Sequence, residues 1–522
     1  MSKKYFIDHI NDETLAMLTD KMLNFEKKQD NERRKIMNFN AIRIVSTVAA
    51  VVLVIGLVNF IGVFNINDNL PNGVDRADSA VVIAAETNET TENITDMNEN
   101  EAVTQTDEIE VIPDEIPENI VKKGEYYIRS ETELYLDSTQ ITDADIEYLK
   151  YMTDLEFLSI IAYPMYEAVG NITDISVIAG LTNLKGLCLA GNQISDISVL
   201  ANLPNLVSLV IIESQVSDIS VLAELTNLRQ LNLIGTQVSD ISALANLTDL
   251  NFLTISTWHQ ETYWSDLENP GKISDIGPLA GLTNLMELYL GNNEINDISA
   301  LSGLTNLTKL SLRKNHVSDI SVLANLTNLT ELALADNEIS DISALANLTN
   351  LTELHISANR GNSISDISPL AGLTNLTKLV LGQGNPIRDI SPLANLTNLT
   401  SLELSGLKGN EIKDINALAG LTNLIDLNLW GNRIEDISPL AGLTNLTWLN
   451  LGGDNHIKDI NPLTGLENLS WLDLRGSPIM DVSPLAKLTK LNELHLGYYL
   501  LQDEKQIVDL REALPNTNIQ VH

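Results

Sequence analysis

The sequence predicts an α/β solenoid, a curved sheet of parallel strands with short helical turns on its convex side, preceded by one transmembrane helix and an acidic linker. Three observations predict it: a unit of about 22 residues recurs through most of the chain, each unit carries leucines at strand spacing, and Ile44 to Phe64 holds no charge. A fixed period in this range marks stacked repeats, none of which can bury its own apolar face alone.

The stretch Leu304 to Asn325, LTNLTKLSLRKNHVSDISVLAN, serves as the type unit. Copies begin at Met152, Leu181, Leu203, Leu225, Leu247, Leu282, Leu304, Leu326, Leu348, Leu373, Leu396, Leu421, Leu443, Leu466 and Leu488, with insertions in some units. Within the type unit, Leu310, Ser311 and Leu312 alternate as a strand does, one face inward and one outward. Asn315 stands where the chain leaves the strand, and a buried carboxamide there both donates to and accepts from stranded backbone groups. The same place is expected to hold Asn192, Asn293, Asn337, Asn359, Asn385, Asn410, Asn432 and Asn455, with Ser214, Thr236 and Ser477 as substitutes. Asp319 precedes the return segment, where its carboxylate caps the free amides of a short helical turn. Pro439, soon after Asp436, fits a first turn that tolerates a missing amide.

These residues resemble bacterial leucine-rich repeats of the internalin type, whose units share the L-T-N-L and D-I-x-P-L-A wording seen here over roughly residues 128 to 522. The resemblance implies a horseshoe scaffold that binds partners by contact. It does not specify the partner, because one scaffold serves many ligands.

Taken in order, residues 1–43 form a short polar segment expected to be cytoplasmic, with an amphipathic helix over Asp12 to Lys35 that offers a possible cytoplasmic partner site. Residues 44–64 are long enough to cross a bilayer core as a helix. Lys27, Lys28, Arg33, Arg34, Lys35 and Arg43 precede that run, which orients the N-terminus inward and the repeats outward. A cleaved signal peptide is the rival, but no small-x-small site follows closely. Residues 65–123, rich in Glu, Asp, Asn and Thr, have too little apolar surface to fold and form a spacer of ~40 Å. Residues 124–151 make an N-terminal cap and irregular first repeat, 152–500 the repeats, and 501–522 a C-terminal cap with a helix from Asp503 and a strand over Asn518 to Val521.

Charge and composition exclude several classes. A formal net charge of −38 disfavours nucleic acid as a partner. Cys188 is the one cysteine, so no intrachain disulfide or thiolate zinc site is possible. The aspartates that recur once per unit lack the clustered oxygens calcium needs, and no metal or cofactor is expected. No nucleophile elbow or phosphate loop is present, so catalysis is not expected. The N-x-T triplets such as Asn306-Leu307-Thr308 belong to the repeat wording and are read as structural rather than as glycan acceptors.

Strand positions between and before the last leucines are expected to form two solvent-facing columns on the concave face. One runs from Cys188 through Tyr289, Asn428, Asn450 and Asp473 to His495, and the other from Gly186 through Phe252, Trp448 and Trp471 to Glu493. Trp448 and Trp471, with Trp430, Asn428, Asn450, Asp473, His495 and Tyr498, make the leading candidate ligand patch. The alternative is that the two indoles pack on each other to protect the C-terminal end. A second candidate patch joins Phe252 and Tyr289 to Trp258, Tyr263 and Trp264 of the insertion Ser256 to Lys272.

The function expected from this pattern is a membrane-anchored bacterial cell-surface repeat protein, single-pass, that binds an extracellular protein or carbohydrate. A transmembrane signalling receptor acting through residues 1–43 is the alternative, and a cytoplasmic scaffold resembling phosphatase-regulatory repeats a third.

Overall fold

The computed structural model describes residues 126–522 apart from 131, 163–168, 257–270, 358–360, 383, 407–410, 454 and 499–503. The expected membrane segment 44–64, its flank 1–43 and the linker 65–123 lie outside these residues. Among the described residues, no helix is long and apolar enough to cross a membrane.

One sheet of 18 strands runs the length of the described chain. It opens with an antiparallel hairpin, Tyr126–Ser130 against Glu133–Asp137, and every later neighbour is parallel. Equal unit length fixes the register: Leu310 faces Leu288 on one side and Leu332 on the other. A shift of one residue would turn each leucine to the opposite face, so the buried side specifies the pairing. The hydrophobic column behind the sheet is continuous, and in the type unit Leu304, Leu307, Leu310, Leu312, Val317, Ile320 and Leu323 are all buried.

On the convex side each unit makes a short 3₁₀ turn, Ser321–Asn325 in the type unit. Leu323 N–H donates to Ile320 O and Leu326 N–H to Leu323 O, both at 2.9 Å. The expected aspartate is in place but one residue earlier than a helix cap. Asp319 Oδ1 accepts from Ser321 N–H at 2.8 Å, while Ile320 is the residue in the capping position. This is an aspartate turn that bends the chain into the 3₁₀ segment. The same bond recurs at the other units, as at Asp196, Asp414 and Asp481.

The asparagine ladder behaves as expected. Asn337 Nδ2 donates to Leu312 O at 2.8 Å and Leu334 O at 3.1 Å, and its Oδ1 accepts from Val317 N–H at 3.0 Å, so one side chain ties two units together. One member differs. The position assigned to Asn359, which lies outside the described residues, is held by Asn362, whose amide donates to Leu334 O at 3.0 Å and accepts from Ile339 N–H at 2.9 Å. Three inserted residues fall between the strand and the ladder, so counting forward from the leucines stops three residues short, at Asn359. Asn410 also lies outside the described residues.

The residue before the ladder position turns left-handed, with φ of 60° at Asn292, 55° at Lys314 and 57° at Asp336. Several units place glycine there. At Gly476 (φ 81°) a Cβ would fall 1.8 Å from Gly453 O, so no other residue fits that turn.

A second ladder went unread in the sequence. The asparagine of each L-T-N-L start donates Nδ2 to the preceding unit, as Asn306 does to Thr283 O at 2.8 Å and Asn328 to Thr305 O at 2.8 Å. Beside it runs a threonine row, with Thr330 Oγ1 donating to Thr308 O at 3.1 Å and Thr352 Oγ1 to Thr330 O at 3.0 Å. These bonds give the triplet at Asn306 its structural role.

At the C-terminus the helix Glu504–Ala513 and the parallel strand Asn518–Val521 close the stack. Gln506 docks the helix onto the last unit, donating to Met480 O at 2.7 Å and accepting from Val482 N–H at 3.0 Å. Asp503, expected to start this helix, lies outside the described residues.

Candidate functional site

The sheet register places the two tryptophans opposite one another: Trp448 pairs with Trp471, and Asn450 with Asp473. Their rings stack at 4.6 Å between centroids and 10° between planes. The aromatic row continues beyond them. His495 lies 5.4 Å from Trp471 at 50°, and His522, directly after the closing strand, stacks on His495 at 5.5 Å and 19°. His495 Nδ1 and His522 Nε2 are 3.3 Å apart. Both indoles are half-buried, so part of each stays open to solvent.

The polar residues expected beside them are placed differently. Strand positions between the leucines prove largely covered rather than solvent-facing, because the curved sheet crowds neighbouring side chains together. Asp473 is 0% exposed and holds Arg475 through bonds of 2.9 and 2.6 Å. That bond raises the Arg475 guanidinium further above its usual range. His495 is 9% exposed, lies 3.0 Å from Glu493 Oε1, and is pushed by burial below its usual range.

Asn428, Asn450 and Asp473 share a further role. Each side-chain oxygen accepts from the amide two residues on: Trp430 N–H at 3.0 Å, Gly452 N–H at 3.0 Å and Arg475 N–H at 2.9 Å. Glu403 does the same with Ser405 N–H at 2.8 Å and also takes a bond from Asn428 Nδ2. These bonds tie each side chain to the backbone just past its strand, the amide of Trp430 among them. Trp430 is half-buried and packs on the next unit, where a Cβ on Gly453 would meet its Cε2 at 3.2 Å. Tyr498 is 56% exposed at the edge of the same end.

The middle of the concave face is a charged row. Lys309 meets Glu331 at 3.1 Å and Lys378 meets Glu353 at 4.0 Å. Burial alone would lower Lys309, but Glu331 and Glu287 outweigh it and raise its ammonium, whereas at Lys378 burial prevails and lowers it.

Of the second candidate patch, the structure joins two members. Phe252 and Tyr289 lie 5.6 Å apart at 48°, but Tyr289 is 1% exposed and donates to Glu287 Oε2 at 2.7 Å. Burial, then the Glu287 charge, raises its phenol. Trp258, Tyr263 and Trp264 lie outside the described residues. No group of three metal-binding side chains occurs among the described residues.

The family profile described as leucine-rich repeats in two copies matches residues 182–224, 287–325, 305–347, 327–372, 349–395, 374–420, 397–442 and 422–465. No curated protein matches the chain. Among solved structures, an internalin from Listeria monocytogenes is 37% identical, covering 66% of this chain and 86% of that one at a TM-score of 0.49. A leucine-rich repeat protein of Leptospira interrogans is 22% identical, covering 74% of this chain and 89% of that one at a TM-score of 0.58. A plant peptide hormone receptor in complex with RGF2 is 19% identical, covering 72% of this chain and 73% of that one at a TM-score of 0.48. With the period, the parallel register and both ladders in place, the chain is a leucine-rich repeat protein.

Proposed function

We propose that this chain is a protein-interaction module of bacterial cell surfaces, tethered by residues 44–64 with its N-terminus inside, which grips an extracellular protein ligand at the C-terminal end of its concave face. The observation that carries this reading is the stacked Trp448 and Trp471 pair, held rigid by the sheet register with open edges. Stacking braces the rings, as the protective alternative requires, and it also pre-pays the ordering that a ligand would otherwise impose. Large rigid aromatics are among the residues that dominate protein interfaces. Buried Asp473 holds half-buried Arg475, and Asn428 and Asn450 are each bonded to the amide two residues on, so these polar groups are already committed beside the platform.

The orientation rests on the uncharged run from Ile44 to Phe64 and the basic residues before it. Adhesion follows from a tethered module that binds by touch. The test replaces Trp448 and Trp471 with alanine in the full chain and measures capture of proteins from the surface of candidate host cells, with a glycan array run in parallel. Loss of protein capture at unchanged melting supports the site. Unchanged capture, or a loss confined to glycans, removes it. Protection of the repeats from protease added to intact cells would overturn the surface placement.

A further inference from the structure

Away from the concave aromatics, a groove of about 490 Å³ runs along the rim where the chain enters the early strands. Its lining comes from equivalent positions of five consecutive units, from Glu156 in the first to Asp249 in the last. Lys185 and Arg229 stand on either side of Val207, and the backbone ladder places them side by side, with Val207 N–H donating to Lys185 O and Arg229 N–H to Val207 O. Two long side chains flanking a short one open the groove. Later units put threonine at this place, as at Thr308 and Thr330, where each hydroxyl folds back onto the preceding unit.

Along one side of the groove stand Asn183, Asn205 and Asn227. Each is exposed, yet none is free to turn, because its Nδ2 is spent on the ladder: to Thr153 O at 3.0 Å, Thr182 O at 2.8 Å and Pro204 O at 2.9 Å. Pinning the nitrogen fixes the oxygen, and no protein donor reaches these Oδ1 atoms among the described residues. The result is a rigid comb of acceptors with one tooth per unit, spaced like the strands at about 4.8 Å. Charge in the groove is balanced, Lys185 being paired with Glu156 at 2.7 Å and Asp249 standing at the end beyond Arg229.

We propose that this groove is a second binding site, for an extended, neutral, β-linked hexopyranose chain lying along the asparagine comb. Such a chain repeats at close to the interval of the comb and presents hydroxyl donors at each step, which the fixed oxygens accept. An extended polypeptide advances about 3.3 Å per residue, so its amides fall out of step with the comb within two units. Balanced charge favours a neutral ligand over an acidic one. Each contact is weak, and affinity accumulates with the number of units engaged. The site is independent of the concave aromatics and of the reading built on them.

Calorimetric titration of the full chain in nanodiscs with cellohexaose, cellobiose and maltohexaose tests this. The expected result is that cellohexaose binds at least tenfold more tightly than cellobiose, and that maltohexaose, whose α-linkages coil the chain away from the comb, binds at least tenfold more weakly than cellohexaose. Filling the groove by Val207→Trp lowers cellohexaose affinity at least tenfold, and Arg229→Ala, which touches no ladder bond, lowers it severalfold at unchanged melting temperature. The double change W448A and W471A leaves it unaltered. Equal binding of the two hexasaccharides, no binding of cellohexaose at millimolar concentration, binding that survives both groove variants, or binding lost with the tryptophans each overturns the proposal.

Discussion

Replacing Asn337 by alanine probes the claim that one carboxamide ties successive units together. The side chain is 1% exposed and satisfies Leu312 O, Leu334 O and Val317 N–H. Truncation leaves the Val317 amide without an acceptor in a place water does not reach, at about 1–3 kcal/mol for a buried unsatisfied group. The two carbonyls lose one bond each but keep a second lone pair, so they add less. We expect a total of about 3–4 kcal/mol. Asn337→Ser, which copies the residue at Ser214 and Ser477, recovers part of this by offering one hydroxyl. Because a solenoid couples only neighbours, the loss is local, and hydrogen exchange reads it better than a global melt. Amides of Lys309–Ser311, Glu331–Ala333 and Glu353–His355 should exchange faster while those of Gly186–Ala190 do not change. A loss below about 1 kcal/mol, or acceleration spread evenly along the sheet, would refute the ladder as the tie between units.

Three further outcomes follow from the same structure. Burial lifts the Glu213 carboxyl to about 7, and the residue also sits at φ 50°. Its folded pKa lies above the unfolded one, so its contribution is present below about pH 4.5 and is lost as pH rises towards 7, by about 3 kcal/mol at most. Melting temperature across that window should therefore fall less in Glu213→Gln than in the parent, and Glu213→Gly should be more stable at pH 8; parallel profiles of parent and Gln variant would contradict this. The aspartates of the convex turns behave oppositely, since the backbone bond to Ser321 holds Asp319 below its usual range, and that stability is lost only as pH falls through the folded value. Asp319→Asn keeps the accepting oxygen but not the charge, so melting at pH 7 should fall less than in Asp319→Ala, and this site's acid dependence should vanish in both. Asn306, with its nitrogen committed to Thr283 O, should carry no glycan when the chain is secreted from a glycosylating host, and a glycopeptide containing Asn306 in a mass spectrum of folded protein would contradict that.

What the sequence made legible was whatever repeats. Aligning the units on their leucines sets Trp448 opposite Trp471 although the two stand 23 residues apart, and the regular 22-residue step places Leu310 between Leu288 and Leu332. What breaks the period was harder to read. In the unit with three extra residues the ladder amide belongs to Asn362, and the signal for it lay downstream: Asn315 stands two residues before Val317, Asn337 two before Ile339, and Asn362 two before Ile364. The ladder residue takes its register from the apolar residue that follows it, because its Oδ1 must reach the corresponding amide of the preceding unit, as Ile364 N–H in turn reaches Asn385. The polar members of the candidate patch were misjudged for a related reason. A residue's column follows from counting, but whether it faces solvent depends on the bulk of its neighbours in adjacent units. Asp473 sits between Asn450 and His495, in the column next to the one that carries Trp448 and Trp471. Had that position held a small side chain, the Arg475 guanidinium would have lost its anchor, a charge-assisted bond pair. Of the residues that sequence reasoning offered as ligand contacts, Asp473 and His495 are buried and engaged with Arg475 and Glu493, while Asn428, Asn450 and the two indoles stay half-buried and Tyr498 is exposed.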